Sequence, residues 1–222
     1  MRRPAAWLAA CGLACAAAAS PSPAVPPTAT QTQPAPTQSP GRGAVPQGFK
    51  RIGGPANGLT VAIPQDWVAL DLSKGDLDKS LKDIGLSGDA LEQAKRSLRP
   101  LAANKAVWAS DRTSAATSPN RFATNLNAFC QESPDIPAEQ VIADVRKQLG
   151  QLGATISQTG EVSIDSGTAV RVVYRLPSRG IDIRGTQYYT HASGRTCILT
   201  LSTDKDGLQP LFDQIGRTLT PR

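Results

Sequence analysis

An α+β fold, an antiparallel β-sheet with packed helices, is the class the sequence predicts, and three observations carry it. Apolar and polar residues alternate in short runs at 155–161, 168–176, 181–190 and 195–203, the period-two pattern of half-buried strands. Short turns such as Ser178-Arg179-Gly180 and Ala192-Ser193-Gly194 separate them. Turns of that length leave no room for the crossover that parallel pairing needs, and so predict a meander. Helical spacing is confined to a few stretches before and after these runs, so the helices pack on the sheet and do not alternate with every strand.

The first residues belong to no domain. Met1-Arg2-Arg3 is a positive n-region, followed from Pro4 to Ala19 by an alanine-rich apolar stretch with Trp7, Leu8 and Leu13, the form of an export signal. It is too short for a stable membrane span, and no later stretch approaches the roughly 18 apolar residues of a membrane helix. Leu8-Ala9-Ala10-Cys11-Gly12 has the residue types of a bacterial lipobox, in which Cys11 would take diacylglycerol and become the mature N-terminus. The apolar core before Cys11 is very short, so Cys15, preceded by Gly12-Leu13-Ala14, is an alternative, as is a plain secretory signal cut near Ala17 to Ala19. Ser20 to Pro46 then holds eight prolines among Ala, Thr, Ser and Gln, a composition that cannot bury enough apolar surface to fold. As a polyproline-like tether it would reach up to roughly 80 Å from its anchor. The expected organisation is a signal with lipobox over 1–19, a disordered linker over 20–47 and one domain over 48–222. The expected location is extracytoplasmic, on the outer face of the cell membrane, or alternatively secreted.

The formal charge is +6, from 24 basic and 18 acidic residues, but Arg2, Arg3 and Arg42 lie outside the predicted domain. Without them the balance is ordinary, and no basic run interleaved with aromatics occurs, so a nucleic-acid partner is not expected.

Within the domain, Leu59 to Pro64 reads as a strand stopped by proline and Gln65 to Leu70 as a turn and a second short strand. Leu77, Leu81, Ile84, Leu91, Ala94 and Leu98 recur at near-helical spacing with a break at Gly85 to Gly88, which predicts one broken helix or two short ones. Lys105 to Ser110 and Arg121 to Cys130 read as strands, the second with Phe122, Thr124, Leu126, Ala128 and Cys130 on one face. Pro137 is placed as the first residue of a helix whose stripe is Val141, Val145, Leu149 and Leu152. After the meander, Leu208, Leu211, Phe212, Ile215 and Leu219 predict a closing amphipathic helix capped by Asp204 or Asp206.

Several of these residues carry a family resemblance. Val61-Ala62-Ile63-Pro64-Gln65-Asp66-Trp67, Asn125-Leu126-Asn127 before a helix, then Tyr174, Gly185-Thr186-Gln187-Tyr188-Tyr189 and Leu199-Thr200-Leu201-Ser202 occur in an order that resembles the Mog/PsbP-like superfamily. Within it, the LpqN-type actinobacterial lipoproteins are the nearest resemblance, over roughly Gly58 to Leu219. The resemblance implies an α/β/α sandwich around an antiparallel sheet, in non-enzymatic binding or accessory proteins. It carries over no catalytic residues and does not include Cys130 and Cys197.

The remaining candidates are few. Cys130 and Cys197 both fall on apolar strand faces, which in an oxidising compartment suggests a disulfide, with two buried free cysteines as the alternative. His191, the only histidine, sits at a predicted hairpin tip and reads as an exposed turn residue. A Ser-His-Asp triad could use no other histidine, and no Gly-x-Ser-x-Gly elbow exists. No catalytic residue, metal ligand set or cofactor is expected. Asp204-Lys205-Asp206-Gly207 has only part of a calcium loop and reads as a turn. Trp67, Trp108, Tyr174 and Phe212 read as core, with an aromatic-lined cleft as the alternative. Arg171 and Arg175 alternate away from Val170, Val172 and Tyr174, and Arg184 should lie level with Arg171 on the next strand. Together Arg171, Arg175 and Arg184 form an anion-binding candidate, because guanidinium forks grip phosphate or carboxylate. The functional expectation is an exported, non-enzymatic binding or accessory lipoprotein, joined to the membrane by its anchor. The ligand classes expected for it are an envelope protein, an anionic lipid or a cell-wall glycan. The alternatives are a secreted hydrolase or thiol enzyme and a purely structural envelope protein.

Overall fold

The meander forms where β-branched and aromatic residues are densest. Its strands are β6 (Thr155–Ile164), β7 (Gly167–Ser178), β8 (Ile181–Ala192) and β9 (Arg195–Thr203). All are joined by two-residue connections, and at the β8–β9 turn both Ser193 (φ 53°) and Gly194 (φ 72°) take the left-handed conformation that tight hairpins require,. The computed structural model describes residues 44–178 and 180–222. The expected export signal with Cys11 and its alternative Cys15, the expected linker up to residue 43, and Arg179 lie outside the described residues.

Upstream, β1 (Phe49–Gly54) precedes β2 (Leu59–Pro64) and β3 (Val68–Asp71), and a 3₁₀ turn leads into α1 (Leu77–Asp83) and α2 (Gly88–Ala103). The expected helical stretch is thus two helices, parted where Gly85 and Gly88 have φ of 87° and 57°. Then come β4 (Val107–Ser110), a short α3 (Ser114–Thr117), β5 (Asn125–Glu132), α4 (Ala138–Gln151), the meander, α5 (Gln209–Arg217) and β10 (Thr220–Pro221). Seven strands pair antiparallel in the order β3-β4-β5-β9-β8-β7-β6, and β1-β2-β10 form a second, three-stranded sheet. The fold is therefore α+β with antiparallel sheets.

Two apolar layers flank the large sheet. On one face Leu81, Leu91, Leu98, Val145 and Leu149 from α1, α2 and α4 pack on Trp108, Phe129, Val172, Tyr174 and Ile198. On the other, Leu59, Val61 and Ile63 of β2 with Phe212 and Ile215 of α5 pack on Val107, Leu126, Ala128, Leu199 and Tyr188. Central strand β5 is buried on both faces from Asn125 to Cys130. All four aromatic residues expected in the core are buried.

The structure corrects several local expectations. Phe122 precedes β5 and packs in the layer opposite Leu126, Ala128 and Cys130, because the chain at residues 121–124 has not yet entered the strand. Leu152 lies just past the end of α4 and is 48 % exposed, so the buried stripe ends at Leu149. Pro137 is the cap of α4, one residue outside it, and α5 is capped by Leu208 without a side-chain hydrogen bond. Asp204 and Asp206 are engaged elsewhere.

Candidate functional site

The cationic residues of β7 and β8 were the strongest charged candidates, and the structure places each in its own ion pair. Strand alternation turns Arg171, on β7, toward α5, where its guanidinium forks onto Asp213: Nε donates to Oδ1 at 2.8 Å and Nη2 to Oδ2 at 3.1 Å. Nη1 donates to Gln158 at 2.9 Å. Asp213 also accepts from the Tyr188 hydroxyl at 2.5 Å and from Gln209 Nε2 at 2.9 Å. Burial, with the neighbouring Asp213 carboxylate adding to it, pushes the Tyr188 hydroxyl above its ordinary value, so it stays a neutral donor. This network fastens α5 to the sheet. Gly216 of α5 makes the contact possible, since a Cβ there would overlap the Tyr188 ring.

The expected level pairing of Arg171 with Arg184 does not occur. Ser178 pairs with Ile181, so the register sets Arg175 opposite Arg184 and Arg171 opposite Tyr188. Arg175 pairs with Asp182 at 3.2 Å, and Arg184 with Asp206 at 2.7 Å. Arg184 also donates from Nη1 to the Asp204 carbonyl at 2.9 Å. Asp204 is buried and its Oδ2 accepts from Ser118 at 2.5 Å and Asn120 at 3.1 Å, which ties the 111–124 segment to the end of β9. That role explains why neither aspartate caps α5.

Cys130 and Cys197 are Cα partners on β5 and β9 and form a disulfide buried in the layer under β2. His191 differs from its expected exposed turn position. It lies within β8, half-buried, with Nδ1 3.3 Å from the Thr196 hydroxyl.

The site that sequence reasoning missed lies on the α1–α2–α4 face. Trp108, Asn127, Thr200 and Gln187 are successive register partners across β4, β5, β9 and β8, so their side chains form one row across the sheet. All four are at least nine-tenths buried. Gln187 Nε2 donates to Thr200 at 3.3 Å, and the Tyr189 hydroxyl donates to Gln187 at 2.7 Å. At the other end of the row, Trp108 Nε1 and Asn127 Oδ1 have no hydrogen-bond partner. Trp108 also floors a cleft of about 40 Å³ walled by Leu81, Ile84, Leu86, Ala94 and Leu98. Of this row only Trp108 reaches the lining of the cleft, whose polar groups are those of Gln93, Ser97 and Ser110, while the unpaired Trp108 Nε1 and Asn127 Oδ1 are enclosed.

These features define an antiparallel α+β domain with an apolar cleft on one face. Two solved structures are similar to it at low sequence identity. The cyanobacterial PsbP (CyanoP) of Synechocystis sp. is 15 % identical, with 81 % of this chain and 96 % of that one covered at a TM-score of 0.49. LpqN of Mycobacterium tuberculosis, described as involved in cell envelope biogenesis, is 15 % identical over 78 % of this chain and 90 % of its own at a TM-score of 0.44. No protein-family model matches the sequence, and no curated protein does.

Proposed function

We propose that this chain is an exported cell-envelope lipoprotein whose domain works as a non-enzymatic binding module, held off the membrane by the proline-rich linker. The observation that carries this reading is the Cys130–Cys197 disulfide. A cross-strand disulfide persists in an oxidising compartment, which is where the apolar N-terminal stretch and its lipobox would deliver the chain. The same bond ties up both sulfurs, so neither serves as a thiolate nucleophile. That favours binding over thiol chemistry. The membrane is the first partner, through diacylglycerol on Cys11.

Metabolic labelling with a fatty-acid probe, followed by fractionation of cells, tests the anchor. The wild type is expected in the membrane fraction with label, and Cys11→Ala in the soluble fraction without it. Label retained in Cys11→Ala and lost in Cys15→Ala would move the anchor to Cys15. An unlabelled, soluble wild type would end the lipoprotein reading.

A further inference from the structure

We infer that the groove between β1, β3 and α1 binds an extended peptide segment of a partner protein, which adds as a strand to the open edge of β3. This deepens the binding-module reading and rests on it. β3 ends one side of the seven-stranded sheet, and β1 ends one side of the three-stranded sheet. Leu72 donates its amide to Ala106, its partner by continuation of the β3–β4 register. Leu70 and Val68 therefore bond to β4 as well, while Ala69 and Asp71 turn their amides and carbonyls to the open edge. By the same alternation, the bond from the Gln65 amide to Gly48 turns the backbone groups of Arg51 and Gly53 away from β2,. All four outward residues, Arg51, Gly53, Ala69 and Asp71, line one groove of about 450 Å³, where Ile52 and Ile84 supply apolar surface.

An open strand edge that lines a groove is the setting for strand addition, in which main-chain hydrogen bonds give affinity and alternate side chains give specificity. The groove's volume lies within the ordinary range of ligand sites. β3 is the better template of the two edges, because Gly53, at φ 85°, takes β1 out of extended form,. Other ligand classes fit less well. None of the described lining residues is aromatic, so a sugar ring finds no face to stack on. The lining sets Arg51 and Lys74 against Asp71 and Asp83, and Lys74 pairs with Asp71 at 3.7 Å. That balance gives an anionic headgroup no net attraction, and it suits a peptide that is neutral where it crosses the groove. The chain's own stretch from Ser20 to Pro46, with eight prolines, is short of the amide donors that a ladder needs.

The test is titration of the purified full-length chain with a blocked hexapeptide of alternating threonine and valine, following amide hydrogen exchange by NMR. In the free chain the amides of Ala69 and Asp71 should exchange faster than that of Leu70, and saturating peptide should slow both by about tenfold or more. Two depsipeptides, with esters in place of the odd or the even amides, remove donors and keep the shape. One should bind about tenfold more weakly, the worth of one hydrogen bond, and the other like the parent, because only alternate amides face β3. Ala69→Pro, which removes an outward donor and no bond to β4, should weaken binding by a similar factor. Ser80→Trp, which fills the groove from α1, should abolish it. Should either variant fail to fold, the depsipeptides decide. Equal binding of all three peptides, or Ala69 and Asp71 amides unmoved by millimolar peptide, overturns the inference. So does protection of both amides before any peptide is added: protection that grows with protein concentration would assign the edge to a second copy, and protection independent of it to the chain's own N-terminal stretch. The assay needs no membrane, so its failure leaves the anchor untouched, and a failed anchor leaves this groove standing.

Discussion

Replacing Gly216 with alanine should weaken the fold far more than one methyl group ordinarily does. In a solvent-facing helix this change stabilises by about 1 kcal/mol through backbone entropy. Here the added Cβ would overlap the Tyr188 ring, which is 2 % exposed and enclosed by the α5 layer. The ring cannot turn away without breaking its 2.5 Å hydrogen bond to Asp213. Over-packing costs about 1–3 kcal/mol, and a lost hydrogen bond to a charged group about 1.5–3 kcal/mol. Less the helix gain, the net loss should be about 1.5–5 kcal/mol. Urea denaturation of the two proteins measures it, with the midpoint falling by on the order of 1 M. In a Tyr188→Leu background the same substitution should cost little, and the difference is the coupling between the two sites. A Gly216→Ala protein as stable as wild type would refute the packing account of α5.

Three further outcomes are expected. Arg171→Gln should lower stability by about 1–3 kcal/mol, between the values of exposed and buried ion pairs, because it leaves Asp213 with only neutral donors; denaturation checks this. Burial and Asp213 raise the Tyr188 hydroxyl above its unfolded value near 10. Its contribution is therefore whole below pH ~10 and lost as pH rises beyond it, and Tyr188→Phe should flatten that alkaline decline in a pH series of unfolding curves. Changing Cys130 and Cys197 together to alanine opens a link spanning 67 residues and should cost about 4 kcal/mol on the chain-entropy model, with thermal unfolding as the readout.

Much of the fold was legible because the meander states its own period and its own turns. β1 was not, since Phe49-Lys50-Arg51-Ile52-Gly53-Gly54 carries two charges and two glycines directly after the linker. It becomes a strand only by pairing with β2. The arginine register was misjudged because the hairpin closes in two residues at 179–180. A strand that runs on to Ser178 shifts every partner, which places Arg175 opposite Arg184. The polar row was hidden by the alternation that otherwise guided the reading. In β5, Leu126, Ala128 and Cys130 mark one face as buried, and Asn125 and Asn127 then look like a solvent face. Both faces are covered. Only the tertiary arrangement of α1, α2 and α4 over that side turns two ordinary asparagines into interior ones.

Intact mass and non-reducing peptide mapping of the protein recovered from its own cells bears most directly on the proposal of an anchored, disulfide-stapled envelope domain. The expected chain begins at Cys11 with the added mass of a lipid, and its digest holds a Cys130–Cys197 linked peptide. A chain that still begins at Met1, with both internal thiols free to alkylation, would contradict the account.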